Sequence, residues 1–502
     1  NRALNTIKVT NMQSLRNLII KSMKKLFYSL CAIASLFTIH SCTNDISEDF
    51  ISQKKIKLTQ DEVFSISYEE TKDLEEKTLF DMVNAFANLQ NGTTTRSNAT
   101  SLKIVKESFI NKEGEFKEQE QATRAISNDD ITSKICEIEF SNGSSMGRAI
   151  VSANTNFPAI IAFIPKCSSE KMMEQTGASK LLHASKASYL YNTIKMKEAV
   201  DSLRLPTLKK ISKELEVPIN EISYEKVKDN IVVIDAKPTT RSTAVQIGDI
   251  EMQILETSIF PLVKTNWGQE FPYNGAFGYN DLLDWVRTEN GGKNYTAVPA
   301  GCVNIAMAQM MTYTHRRRIP QISFPNPDGH GSFIPNWDLM AQTPKIDDPG
   351  SSERGRGDAE CLIIDLYREN HTTSKKDWDG AVIASEVSEV NMLKTMNKYF
   401  NYKPKASFNG DLAWAALRAG RLIMMLTSDH AFIISGMLIT EKSIVTRQLV
   451  KNNDVYWHAN LGWADECTGY YKLDSNANTC FEAKGIKEWC YKMDYLNNIS
   501  VR

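Results

Sequence analysis

Apolar and polar positions change period several times along the chain, and each change marks an element. Thr59-Gln60-Asp61-Glu62 has the form of a capping box, and apolar residues recur behind it at helical spacing to about Leu89, which predicts a helix. Residues 91–125 are polar, with Thr94-Thr95-Arg96 and Thr123-Arg124 expected to be exposed. Cys136, Ile138 and Phe140 then alternate with Glu137 and Glu139, the period of a half-buried strand. Gly143 turns the chain, and Ala149-Ile150-Val151 and residues 160–164 predict two more strands. Helical spacing returns over residues 179–217, with an interruption expected at Pro206. Residues 237–242 (Lys-Pro-Thr-Thr-Arg-Ser) are basic, Pro-restricted and poor in apolar side chains, so they read as an exposed linker and the main domain boundary.

The first fifty residues have a different pattern. Residues 1–22 are read as sequence upstream of a start at Met23. Lys24 and Lys25 precede a mostly apolar run over residues 26–39, closed by Ser41-Cys42. At 1.5 Å rise such a run spans about 21 Å against a hydrocarbon core of about 30 Å, so it predicts a signal-peptide core rather than a membrane helix. A cysteine directly after a small residue resembles the lipobox of bacterial lipoproteins, which implies lipidation of Cys42; plain secretion is the alternative. Acidic residues behind it (Asp45, Glu48, Asp49) resemble a surface-export signal. The remainder is expected to be soluble and extracytoplasmic, at the outer membrane or cell surface or secreted.

Composition narrows the function classes. At 502 residues the chain is long enough for roughly two to four domains, and 42% hydrophobic content excludes a mostly disordered one. With 59 basic against 60 acidic side chains there is no broad field of one sign, which argues against nucleic acid as a partner and leaves the membrane to the lipid anchor. Nine cysteines, widely scattered, do not form a disulfide scaffold.

Four constellations carry candidate chemistry. Gly143-Ser144-Ser145-Met146-Gly147 fits the nucleophile-elbow pattern, but a strand follows where a helix is needed, so a hairpin turn is the better reading. Gly291-Gly292-Lys293 lacks the other residues of a phosphate loop. Cys467, Cys480 and Cys490 have no CxxC pair for zinc; one disulfide or three thiols are the readings left open, and no cofactor or metal is expected. Fourth is Cys302. Pro299 and Gly301 end any helix before it, while Val303, Ala306, Met307, Met310 and Met311 repeat at helical spacing after it. A cysteine at a helix N-terminus is stabilised as thiolate by unpaired N–H groups and the helix dipole. A small apolar core residue is the competing reading, and this segment alone does not separate the two.

An activated cysteine needs a base, and the base an orienting group. Leu422-Ile423-Met424-Met425-Leu426 predicts a strand, and after a short turn His430 heads another. Asn460 then offers a side-chain carbonyl to an imidazole N–H, and Trp463 a cover for that bond. The order Cys302, His430, Asn460, with gaps of 128 and 30 residues, is close to papain-type spacing. His458 is the weaker candidate base, being too near Asn460 in sequence to be held by it. Arg316-Arg317-Arg318 reads as a complement to the helix dipole.

Over about residues 130–475 the chain resembles the streptopain family of secreted bacterial cysteine peptidases. Pro261 to Gln269 with Pro272-Tyr273-Asn274, Gly301-Cys302-Val303 with Ala308-Gln309, Asn336-Trp337-Asp338, His430-Ala431-Phe432, Asn460 to Trp463 and Gly469 to Asp474 carry the likeness. The resemblance implies an α+β papain-like cysteine peptidase domain, with a helical part and an antiparallel sheet part, at 242–502. It also implies an α+β inhibitory propeptide with its tether at 42–241, behind a signal peptide at 23–41. Implied roles are Cys302 as nucleophile, His430 as base, Asn460 as its orienter, Gln269 as oxyanion donor and Trp463 as shield. Arg241 is the expected activation site, with Arg124 the alternative. Expected partners are protein or peptide substrates, the chain's own propeptide and an activating protease.

The chain departs from the family at Ser428-Asp429, where glycine usually precedes the histidine, at Leu461, where an aromatic is usual, and at Ala464-Asp465-Glu466-Cys467, where the family is Gly-rich. These positions are expected at the cleft rim; Asp429 either raises the imidazole pKa or faces solvent. They keep two alternatives open: an inactive surface-binding lipoprotein of the same fold, and a Cys-His-Asn amidase or acyltransferase.

Overall fold

The computed structural model describes residues 54–69, 71–90, 99–111, 116–118, 131–167, 177–235, 244–316, 321–342, 352–444, 450–473 and 493–502. The readings at 23–41, Cys42, Arg124, Arg241, Cys480 and Cys490 lie outside those residues. Lys55–Arg502 cluster as one compact unit of mixed helix and sheet. No helix among the described residues is long and apolar enough to cross a membrane.

The capping box forms as its spacing predicts. Glu62 N–H donates to the Thr59 hydroxyl at 3.2 Å, and Thr59 N–H donates to the Glu62 carboxylate at 2.8 Å, starting α1 (Gln60–Ser67). Helix resumes as α2 (Glu76–Gln90), so the stretch to Leu89 is two helices rather than one. The polar stretch 91–125, given no element by its pattern, contains β1 (Ala99–Asn111) and β2 (Phe116–Glu118). Its polarity reflects a wet outer face: Glu107 of β1 meets Lys134 of the neighbouring strand at 2.7 Å. That neighbour is β3 (Ile131–Asn142), followed by β4 (Ser145–Ser152) and β5 (Ala159–Ile164). Gly143 turns at φ 62° between β3 and β4, so the Gly143–Gly147 match is a hairpin.

Helix α3 (Gly177–Leu215) continues through Pro206, against the expected interruption. Ser202 and Pro206 are both exposed, so the carbonyl deprived of its N–H partner faces water and one proline does not break 39 residues of helix.

The C-terminal half supplies β6 (Val245–Ile247), β7 (Ile250–Ile254), α4 (Cys302–His315), α5 (Glu353–Glu369), β8 (Phe400–Ser407), β9 (Leu422–Leu426), β10 (Ala431–Ile444), β11 (Val450–Asn460), β12 (Gly469–Lys472) and β13 (Asp494–Val501). Thirteen strands among the described residues make one sheet, in the order β8-β13-β9-β10-β11-β12-β5-β4-β3-β1-β2, with β7 on β10 and β6 on β7. The join between the halves is β12 on β5, antiparallel, with Tyr470 opposite Phe163 and Tyr471 opposite Ala162. A Cβ at Gly469 would lie 2.4 Å from the Phe163 carbonyl oxygen, so only glycine admits this approach. One apolar cluster packs Leu181, Leu182 and Leu190 of α3 with Phe432, Ile434 and Trp457 of the sheet, and thus spans both halves. A second buries α4 against α5 and the β9–β10–β13 region. Each such fully buried side chain contributes about 1.5–3 kcal/mol.

Candidate active site

Cys302 is the first residue of α4, as its surroundings in sequence predict. Gly301 before it has φ 87°, a backbone that L side chains rarely adopt, and offers no side-chain cap, so the first amides of the helix stay directed at the thiol end. The turn is braced from behind. Asn304, fully buried, donates to the Ala300 carbonyl at 2.7 Å and to the Thr372 hydroxyl at 3.0 Å, while Asn370 donates to Asn304 at 2.7 Å. The Cys302 sulfur accepts the Ala431 N–H at 3.4 Å, which ties α4 to the head of β10.

His430 sits at that same strand head, close enough to Cys302 for each to act on the charge of the other. Burial alone would raise the thiol and lower the imidazole. The charge of each on the other reverses both: the Cys302 thiol lies below its ordinary value and His430 above its own. Both shifts act toward the thiolate–imidazolium form.

The orienting group is a backbone carbonyl. His430 Nε2 bonds the Leu461 carbonyl at 2.9 Å, whereas the sequence pattern pointed to the Asn460 side chain. Asn460 instead donates to the Thr265 carbonyl at 2.7 Å and accepts from Gly462 N–H at 3.2 Å. Its amide also meets the Gln309 carbonyl oxygen at 3.2 Å, which takes the Thr265 hydroxyl at 3.0 Å and the Trp267 N–H at 3.3 Å as well. With both amide groups occupied in this buried network, Asn460 fixes the turn that presents the Leu461 carbonyl rather than touching the ring. Gln309, which with Ala308 carries part of the family likeness, lies seven residues, two turns, past Cys302; a polar residue on the buried face of an apolar helix is the further signal that it has a buried partner. Trp463 stacks on His430 with centroids 5.8 Å apart and planes at 16°.

Gln269 is buried, and its backbone carbonyl accepts the Ala300 N–H at 2.8 Å, which sets it beside the turn into Cys302. Leu461 is fully buried, so it is a core residue and not part of the cleft rim. Ser428 and Asp429 are at the rim, yet Asp429 has a partner that the sequence did not suggest. Lys180 of α3 reaches Ser428 at 2.5 Å and Asp429 at 2.6 Å. Burial would raise the Asp429 carboxyl, but the bonds from Lys180 and Thr427 hold it below the ordinary carboxylate range. One turn earlier, a Cβ on Gly177 would lie 2.7 Å from the His430 ring, so the first turn of α3 rests directly on the imidazole.

A cleft of about 850 Å³ opens on Cys302 and His430, with Val303, Met392 and Leu426 as apolar wall. Glu386, Glu389, Asp429 and Asp494 line it against one lysine, Lys405, which pairs with Glu389 at 2.6 Å. Among the described residues no group of histidine, cysteine and carboxylate side chains has the arrangement of a metal site.

The other candidates fall elsewhere. His458 bonds the Ser435 hydroxyl at 3.0 Å, on the side of the sheet facing Lys264, and is pushed down to about 3 by burial and by Lys264. Gly291 and Gly292 form the turn of a hairpin, and Arg316 pairs with Asp338 at 3.2 Å. Cys467 lies in the turn before β12, beside the segment that follows β5.

No curated protein matches the chain. Residues 267–471 match the model of the Peptidase C10 family, a span that begins at Trp267, contains Cys302, His430 and Trp463, and ends in β12. Residues 267–471 thus carry a cysteine-type peptidase, a hydrolase, of the streptopain family.

Proposed function

We propose that the protein is an extracytoplasmic endopeptidase made as a zymogen, with Cys302 as nucleophile, His430 as its base and residues 42–241 as an inhibitory pro-region ahead of a papain-like domain at 242–502. The observation that carries this reading is the setting of His430: Cys302 lies beside the ring in one cleft, and α3 covers the ring through Gly177 and clasps its neighbour through Lys180. In this reading the signal peptide at 23–41 exports the chain, Cys42 bears the lipid, and a cut near Arg241 frees the pro-region.

The chemistry follows from the charge arrangement. The Cys302 thiolate adds to the substrate carbonyl, and the oxyanion is met by the Cys302 N–H and the Gln269 side-chain amide; removing one such donor costs about 2.7–4 kcal/mol of barrier. His430 gives its proton to the leaving amine, then takes one from the water that opens the thioester. The Leu461 carbonyl holds the ring in line through both steps and strengthens its positive form, while Trp463 keeps water from that bond.

Incubation of the full chain with trypsin, followed by N-terminal sequencing and a casein assay, tests the reading. The expected result is a mature enzyme beginning just after Arg241 and labelled at Cys302 by an epoxide inhibitor of cysteine peptidases. Labelling without casein cleavage would favour an amidase or acyltransferase; no labelling would favour the surface-binding alternative.

A further inference from the structure

We infer that Cys167 and Cys467 form a disulfide that fastens the N-terminal half of the chain to the peptidase half. Cys167 closes the segment that follows β5, and Cys467 sits in the turn that precedes β12, 300 positions later in the 502-residue sequence. The two segments run side by side. Cys467 N–H donates to the Lys166 carbonyl at 2.9 Å, and the Lys166 side chain reaches Glu466 at 3.0 Å and the Ala464 carbonyl at 3.3 Å. The β5–β12 pairing then continues from the same place. The Cys467 amide bonds the carbonyl that directly precedes Cys167, so the two residues are backbone neighbours, and disulfides span Cα separations of roughly 4.4–6.8 Å.

The side chains share surroundings as well. Both cysteines are buried, at 3% and 1% exposure, in one apolar cluster that includes Tyr471. Tyr471 donates its hydroxyl to the Cys467 carbonyl at 2.6 Å, and both sulfurs lie close enough to bear on that hydroxyl. Cys467 has φ 60°, which turns it out of regular strand register. The remaining described cysteines are differently placed. Cys302 is at the cleft, while Cys136 and Cys361 are pushed up to about 11 by burial, far from reactive thiolate.

Both residues are thiols in the structure. Bond formation removes two protons and two electrons from the pair; a small-molecule or protein disulfide accepts both and leaves as two thiols. A dithiol reductant runs the step in reverse. The consequence rests on the zymogen reading, although the bond itself does not. A cut at Arg241 falls between the two cysteines, so the oxidised pro-region stays attached after cleavage and leaves only on reduction, which makes latency redox-controlled.

Two measurements separate the bond from its consequence. The full chain is oxidised with glutathione disulfide, alkylated in denaturant and mapped by mass spectrometry. The expected product is a Cys167-containing peptide joined to a Cys467-containing peptide, two hydrogens lighter than the pair, and lost in Cys167→Ser and in Cys467→Ser. Alkylation of both cysteines, or Cys467 joined to Cys480 or Cys490, overturns the inference. The oxidised chain is then cut with trypsin and exposed to an epoxide inhibitor. Because a tether holds its two ends at high effective concentration, Cys302 labelling should be at least about a hundredfold slower than in Cys167→Ser. Dithiothreitol should bring the two to the same rate. A mapped disulfide with equal labelling rates would leave the bond standing and overturn the redox control of latency.

Discussion

Two histidines on neighbouring strands of one sheet end in opposite states. His430, at the head of β10, is buried against Cys302 and the Leu461 carbonyl, and its pKa is raised. His458, in β11, faces the Ser435 hydroxyl with Lys264 nearby, and its pKa falls to about 3. Burial pushes both rings toward the neutral form, so burial does not distinguish them. The distinction is the sign of the neighbour: a thiol that can carry negative charge at one, a lysine at the other. A histidine is drawn toward its charged form here because an ionisable acid was folded against it, and the same ring 28 positions later is a fixture of the interior.

Removing the acid is the most severe way to break that contrast. Cys302→Ala should lower casein hydrolysis by at least about 10⁴-fold. His430, left with burial against only the Leu461 carbonyl and Asp429, should then titrate lower than in the unmodified enzyme; an imidazole resonance that titrates unchanged would show that the thiol is not what raises it. In the unmodified mature enzyme the thiolate–imidazolium pair exists only between the lowered thiol value and the raised imidazole value. The rate therefore climbs as the thiol ionises and drops at higher pH as His430 loses its proton, a bell in kcat/KM against pH.

Gln269→Ala comes next: if its side chain is the proposed oxyanion donor, kcat falls about 10²–10³-fold and the His430 titration is unmoved. A smaller effect is expected of Gln309→Ala. The buried amide of Asn460 loses a partner, which costs about 1–3 kcal/mol of stability by thermal unfolding, and the turn carrying the Leu461 carbonyl loosens. A shift of the alkaline limb to lower pH would mark the loss of that carbonyl, whereas a purely structural role would lower the melting temperature and leave the profile alone.

His458→Phe should leave kcat/KM of the mature enzyme within about twofold while lowering stability by about 1–3 kcal/mol, since the buried Ser435 hydroxyl is orphaned. A large fall in kcat with normal folding would erase the distinction between the two rings. The least effect is on the clasp. Asp429 is held below the usual carboxylate range by Lys180, so its contribution is present above the unfolded carboxylate value and is lost as pH falls through the lower folded value. Asp429→Asn should weaken docking of residues 42–241 on the mature enzyme by a few fold at neutral pH, an exposed ion pair contributing at most about 1 kcal/mol, and should make that docking insensitive to acid.

Local pattern alone gave a good deal of this molecule. The capping box at Thr59, the β3–β4 hairpin around Gly143 and the start of α4 at Cys302 are each set by residues within one turn or one strand, and each forms where its spacing puts it. The polar strand β1 and the unbroken α3 were not legible. The first is stabilised by a partner strand, and the second tolerates Pro206 only because that face is wet. At the site, Cys302, His430 and Trp463 stood out by residue type and order. The atom holding His430 did not, because a backbone carbonyl has no sequence signature, and Asn460 could be recognised only as a polar residue near the right place.

What the sequence determined by itself is thus the chemistry available: one cysteine at a helix tip, one histidine at a strand head and the family those motifs belong to. What tertiary structure decided is which groups meet. The Leu461 carbonyl on the ring, α3 across it, β5 against β12 and Cys167 beside Cys467 all join positions dozens to hundreds of residues apart. Such contacts depend on how the sheet and helices close over one another, and that closure is a property of the packed chain that no window of neighbouring residues contains.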